Sequence, residues 1–433
     1  MKIRHLRILS IILILIFSVG MGNAFAVPLN PDDDIIVGIT PVTPRISLFA
    51  ATSFSKNWAY TETEFSALPL FNLTGKGVRV GIIDSGISPH RDIPQSKIIA
   101  EKSFVDGEES ITEDFANHGT SVAALIVGHG EIGQGAKGIA PGSEIVNVRI
   151  LGSDGTADMS MLSLAVDYCT ELGCDVINMS LGTQAPLSHD YTYYPALVNL
   201  YNSIQIAVDA GCIVVAAAGN KGSSGLEEDF VSYPAGFDNV IGVSGTQEGF
   251  LHNGSSQKNN SVFISAPGKQ IFTAGNGSNS SYYYVSGTSF ASPIVAGFAA
   301  LIKEAYPDAT LNDVKAILKA TATDLGDTGY DFKYGHGFIN GKNLAKYLRN
   351  SDFYAYFNEK GQAVCANLGE EKKISAYTAV YSGARNTSVS QTPFSLKCME
   401  EKAIDLPENS NIKQFFWYQG VALNPICSHL VRQ

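Results

Sequence analysis

From Gly77 to about residue 245 the chain alternates short, continuously apolar runs with stretches of helical pattern. GVRVGII beginning at Gly77, EIVNVRI at Glu144, DVINMS at Asp175, GCIVVAAA at Gly211 and NVIGVS at Asn239 read as buried strands. Residues 160–172 and 194–210 carry the helical pattern between them, and further helices are predicted over 118–127 and 289–303. Apolar runs without polar alternation predict strands covered on both faces, and their alternation with helices predicts a mostly parallel sheet. The fold class is therefore α/β.

Ligands bind outside the carboxyl ends of the strands in such sheets, so the residues that close each run matter most. The first run ends in Asp84-Ser85-Gly86, the third in Asn178-Met179-Ser180-Leu181-Gly182 and the fourth in Gly219-Asn220. The helix at 118 opens with His118-Gly119-Thr120, and the helix at 289 opens with SGTSFASP. Each feature alone has a plain structural reading: Asp84 as a helix cap, His118 as a packed histidine, Gly219-Asn220 as a turn, the serine stretch as an N-cap. Together they supply the four roles of acyl transfer. A serine hydroxyl needs an imidazole to take its proton. The imidazole needs a carboxylate to fix its tautomer, and the developing oxyanion needs an amide donor beside a backbone N–H.

VGIIDSGI around Asp84, NHGTSVAALI around His118, AAAGN ending at Asn220 and SGTSFASP around Ser289 resemble the motifs of the subtilisin-like serine peptidases. The chain order Asp, His, Ser is the one that family uses. GIAPGSEIVNVRIL, DVINMSLG, YPAGFDNVIGVSG, FISAPG and GYDFKYGHGFIN extend the resemblance from about Lys56 to Tyr347. It implies a three-layer sandwich with a mostly parallel central sheet and a serine endopeptidase needing no cofactor for its chemistry. Ser289 would be the nucleophile, His118 the general base and then acid, Asp84 its orienting carboxylate, and Asn220 the oxyanion donor. Substrate would bind as an extended strand between Gly155-Thr156-Ala157-Asp158 and Ser180-Leu181-Gly182, with Ser232 near the floor of the P1 pocket and Lys221 and the Glu227-Glu228-Asp229 cluster near its mouth, a cluster whose plainer reading is a solvated loop. Protein or peptide substrates are the implied partners, with a broad or mildly hydrophobic P1 preference. A catalytically inactive, peptide-binding relative is the alternative, and the filling of all four positions argues against it. A nucleotide-binding reading fails because the first strand lacks GxGxxG and no P-loop exists.

Three departures from the family pattern stand out. Phe290 follows Ser289 where the family usually has Met, so peroxide should inactivate less. His90-Arg91-Asp92 resembles a calcium-ligand stretch and makes Asp92 a calcium candidate, yet residues 128–133 lack the expected Asn and leave only carbonyls and Glu131. Residues 27–55, with Pro28, Pro31, Pro41, Pro44 and three consecutive Asp, are too short for a compact pro-domain and read as a linker.

Export follows from the N-terminus. Lys2, Arg4 and Arg7, the apolar run Ile8 to Val19 and the Ala24-Phe25-Ala26 cleavage site read as a signal peptide over 1–26. The run is shorter than the about 20 residues of a membrane span. A secreted or periplasmic protein is expected, with no integral membrane segment after signal removal. Losing those three cations takes the net charge from −11 to −14, which argues against nucleic acid or anionic membrane surfaces as partners. In an exported chain the cysteines Cys169, Cys174, Cys212, Cys365, Cys398 and Cys427 make disulfides plausible, with no pairing fixed by spacing. After a catalytic domain at 56–347, residues 348–433 contain alternating segments such as ISAYTAVY and QFFWY, predicting a small β-rich domain stapled by cysteines.

Overall fold

The computed structural model describes residues 36–38 and most of 58–432; 1–35, 39–57, 131–134, 184–189, 222–229 and 419–429 are the main segments outside the described residues. The signal-peptide expectation therefore lies outside them. Within 27–55, read as a linker, Ile36–Gly38 forms a strand, β1.

The central sheet is built from β2 (Arg79–Asp84), β3 (Ile98–Ser103), β4 (Glu144–Arg149), β6 (Val176–Met179), β7 (Ile213–Ala217), β8 (Ile241–Gln247) and β10 (Ile264–Pro267). Their spatial order is β10-β8-β7-β6-β2-β4-β3, all parallel, with the short β9 (Leu251–His252) antiparallel on β8. All five strands predicted from the sequence are present. A short edge strand, β5 (Thr156–Asp158), leaves this sheet and pairs antiparallel with β1.

Period-two alternation explains why these strands read as unbroken apolar runs. Val80, Ile82, Val176, Ile213 and Val215 point into one core, shared with helices α1 (Trp58–Glu62), α2 (Ala67–Leu70), α3 (Gly119–Val127) and α6 (Thr288–Ala305). Ile83, Ile177, Val214 and Ala216 point into the other, shared with α4 (Met159–Glu171) and α5 (Pro195–Asp209). Helix α6 is buried from Thr288 through Lys303, which suits a helix in the interior of a large core. The three layers of the α/β reading are thus in place.

Beyond the sheet a two-stranded ribbon, β11 (Ile271–Ala274) with β12 (Tyr282–Val285), precedes α6. The C-terminal region is β-rich as expected. One antiparallel sheet orders β13 (Phe353–Phe357), β14 (Ala363–Asn367) and β17 (Glu400–Ile404). The other orders β16 (Arg385–Leu396), β15 (Lys372–Ser382), β18 (Asn411–Tyr418) and β19 (Leu430–Arg432). Phe353, Ile374, Leu396 and Phe416 form its core.

Of the cysteines expected to form disulfides, Cys169, Cys174, Cys212 and Cys398 are free thiols, while Cys427 lies outside the described residues. The Cys169 thiol donates to Cys174 and is buried, and both effects raise its pKa well above the ordinary value; burial does the same for Cys212. Such thiols are unreactive while folded. Packing replaces bonding there: a Cβ added at Gly81 on β2 would lie 2.6 Å from Cys169 Sγ and 3.3 Å from Cys174 Sγ. Gly81→Ala should therefore cost about 1–3 kcal/mol of stability by overpacking, seen as a lower urea midpoint. An unchanged midpoint would mean that the end of α4 yields freely.

Candidate active site

Helix α6 starts abruptly because Gly287, at φ +143°, turns the chain directly into Thr288 and Ser289. A Cβ at Gly287 would lie 3.1 Å from Asn220 Nδ2, so glycine is required both for the turn and for the approach of Asn220. Four residues after Ser289 stands Pro293, which has no N–H to bond the Ser289 carbonyl. Ser180, just past β6, fills that gap: its hydroxyl donates to the Ser289 carbonyl at 2.7 Å. Asn178 braces the same corner, donating from Nδ2 to Ser180 Oγ at 2.9 Å and accepting from Ser292 Oγ at 2.6 Å. A chain of hydroxyl and amide groups thus bolts the first turn of α6 to the end of the strand. Ser292, to which the sequence assigned no chemistry, belongs to it, while Ser286 accepts from the Gln270 N–H at 2.9 Å.

Asp84 is the last residue of β2 and His118 the residue that starts α3. Nδ1 of His118 lies 2.8 Å from Asp84 Oδ1, and both side chains are buried. The Ser85 N–H donates to the same oxygen at 2.7 Å. Burial alone would lower the imidazole pKa; the Asp84 charge and hydrogen bond, with Asp114 adding to them, outweigh it and leave His118 above its ordinary 6.5. The α6 end meets this ring directly, since Phe290, next to Ser289, has its ring centroid 5.1 Å from that of His118. Ser289 is 5% exposed.

Asn220 follows β7 and is oriented by what it accepts. Its Oδ1 takes the Thr288 N–H at 2.8 Å and the Thr288 hydroxyl at 3.1 Å, which leaves the Nδ2 donor for the cleft beside Ser289. Ser180, Leu181, Gly182, Asn220, Ser232 and Ser289 line one cleft, with Lys221 at the same opening. Ser232 turns its hydroxyl away onto the Thr183 carbonyl at 2.9 Å. Gly155 immediately precedes β5, and Thr156 and Ala157 lie on it, where Gly38 pairs with Thr156 and Val37 with Ala157. Residues 227–229, read as a cluster near the pocket mouth, lie outside the described residues.

Asp92, the calcium candidate, is held by protein partners: its Oδ2 accepts from the Tyr282 hydroxyl at 2.7 Å and the Ala136 N–H at 2.8 Å, and Arg91 Nε stands 3.8 Å from Oδ1. Among the described residues no three His, Cys, Asp or Glu side chains cluster as a metal site would need; Glu131 lies outside them.

Sequence reasoning passed over Asp114, a buried carboxylate beside this site, because TEDFAN reads as a solvated loop. It also passed over the bracing role of Asn178 and Ser292. The i, i+4 relation of Ser289 to Pro293 was the available signal.

The Subtilase family model matches residues 75–337. M-protease of Shouchella clausii (strain KSM-K16) is 33% identical over 318 residues, covering 73% of this chain and 77% of its own. Subtilisin BL of Lederbergia lenta is 35% identical over 283 residues, covering 65% and 96%. The crystal structure of MycP1 from Mycobacterium smegmatis shares the fold at a TM-score of 0.59 and 23% identity, over 72% of this chain and 89% of that one.

Ser180→Ala leaves the buried Ser289 carbonyl without its donor and should cost about 1–3 kcal/mol of stability in thermal or chemical unfolding. A variant as stable as the parent would mean that the carbonyl finds another partner.

Proposed function

Because this chain belongs to the subtilase family and is a serine-type endopeptidase, we propose that it cleaves peptide bonds through Ser289, with His118 as general base and Asp84 as the carboxylate that orients it. The buried 2.8 Å contact between His118 Nδ1 and Asp84 carries the reading. With its proton held on Nδ1, the neutral ring presents an unprotonated Nε2 to the α6 end. Ser289 Oγ attacks the scissile carbonyl and its proton passes to Nε2. The oxyanion is held by Asn220 Nδ2 and the Ser289 N–H at the start of α6. As the tetrahedral species collapses, the imidazolium gives its proton to the leaving amine, and an acyl-enzyme remains. Water then repeats the sequence, attacking the ester with His118 again as base.

Substrate lies extended against β5 and against Ser180-Leu181-Gly182, with its P1 side chain in the cleft that Ser232 lines. The antiparallel pairing of β1 with β5 supports this, since it demonstrates that the Thr156–Asp158 edge accepts a strand. All four chemical positions being filled disfavours a merely peptide-binding role. Export with loss of residues 1–26 fits the N-terminal sequence, and no helix among the described residues is long and apolar enough to cross a membrane. No metal takes part in the chemistry as proposed.

A fluorophosphonate should modify Ser289 stoichiometrically, and Ser289→Ala should abolish the labelling; an unlabelled folded protein would sink the reading. Only neutral His118 accepts the proton, so kcat/KM should rise with pH through its ionisation. Its pKa is raised, which places that limb above 6.5. A rate flat between pH 5 and 8 would contradict this assignment. With Phe290 beside the nucleophile, brief peroxide treatment should leave activity intact, and loss in proportion to oxidation of any methionine would refute that expectation.

A further inference from the structure

We propose that Asp114 is a positioning residue for the catalytic imidazole, a second buried carboxylate that clamps the backbone carrying His118 and deepens the negative field the imidazolium enters. The proposal rests on the assignment of His118 as the general base.

Helix α3 begins without a side-chain cap from its own first residue and without an acidic residue in its first turn. Its opening N–H groups, which have no partners within the helix, are taken by two residues from outside it. Asp114 Oδ1 accepts from the His118 N–H at 3.1 Å and Oδ2 from the Thr120 N–H at 2.9 Å. Between them the Gly119 N–H donates to Ser85 Oγ at 2.9 Å. Three consecutive backbone donors, beginning at His118 itself, are therefore held by the Asp114 and Ser85 pair. The segment is fixed from its other side too, where Asn276 donates from Nδ2 to the Asp114 carbonyl and from its N–H to Asn117 Oδ1 at 2.8 Å.

Ser85 also ties the two carboxylates together. Its oxygen stands 2.6 Å from Asp114 Oδ1 and 3.1 Å from Asp84 Oδ1. A hydroxyl has one proton, so the shorter contact to Asp114 is the donated bond. Asp114 then receives Ser85, His118 and Thr120 as donors, the environment of an ionised carboxylate. Burial and the nearby Asp84 charge work the other way and raise its pKa, while the donors oppose them. Neither Asp84 nor Asp114 pairs with a Lys or Arg among the described residues; the only cation that reaches the pair is imidazolium. On the elements packed around the ring, the charged groups acting on His118 are Asp84 from β2 and Asp114 from the loop before α3, while α6 presents the uncharged Ser289 and Phe290.

That arrangement favours the transition state over the resting enzyme. Two desolvated anions repel each other in the free site, and the positive ring formed when Ser289 loses its proton relieves them. Asp114 touches neither substrate nor the reacting atoms, so it acts only through the place and the basicity of His118.

The test uses the full-length enzyme with a chromogenic peptide substrate, and rates are normalised by fluorophosphonate titration of Ser289. Asp114→Asn should lower kcat by about tenfold or more, leave KM nearly unchanged, and move the acidic limb of kcat/KM to lower pH. Asp114→Glu keeps the charge on a longer arm, so its limb should stay at the wild-type pH while kcat falls. A limb that stays put in Asp114→Asn, or one that drops in Asp114→Glu as well, overturns the proposal. A wild-type enzyme whose Ser289 cannot be titrated instead defeats the assignment of the nucleophile, which separates the two failures.

Discussion

The rest of the site depends on one buried hydrogen bond, between His118 Nδ1 and Asp84 Oδ1 at 2.8 Å. In water such a contact would be weak and transient; with Asp84 1% and His118 5% exposed, it fixes both the tautomer and the tilt of the ring. Holding it requires a strand end and a helix start to meet at a set angle. The parallel sheet supplies the first by ending β2 at Asp84, and the clamp of Asp114 and Ser85 on residues 118–120 supplies the second.

Ser289, the proposed nucleophile, stands on a third element whose Phe290 meets that ring, and its placement rests on a local defect. Pro293 deprives the Ser289 carbonyl of its helical donor, and the freed carbonyl becomes the point at which Ser180 fastens α6 to the end of β6. Asn178 and Ser292 complete the fastening inside the core, where unsatisfied polar atoms would be costly. Asn220 is oriented by the same helix end through Thr288. Ser180, Asn220 and the Thr288-Ser289 start of α6 are therefore one connected hydrogen-bonded unit.

What was legible in the sequence is what periodicity and local chemistry control. The five strands showed because burial on both faces makes them continuous apolar runs; Asp84 and Asn220 showed because polar residues close those runs where a sheet binds ligands, and Ser289 because SGTSFASP opens a helix. Asp114 did not show, since its donors come from a helix start and a strand end that folding alone brings to it. The partners of Asp92 were hidden for a similar reason: Tyr282, whose hydroxyl it accepts, lies 190 residues away and gives no local sign. The spacing of the cysteines fixes no pairing, and only the fold shows Cys169 and Cys174 packed as thiols against Gly81. Alternation revealed the C-terminal strands, but not that they divide into two sheets with β17 joining the first.

The central claim is that Asp84 holds the His118 proton on Nδ1 and leaves Nε2 to exchange protons with Ser289. Nitrogen-15 NMR of histidine-labelled enzyme, followed through the titration of His118, reads both nitrogens at once. The account predicts that Nδ1 stays protonated at every pH while Nε2 alone gains and loses its proton, and that Asp84→Asn abolishes this preference. A neutral His118 with its proton on Nε2 would contradict it.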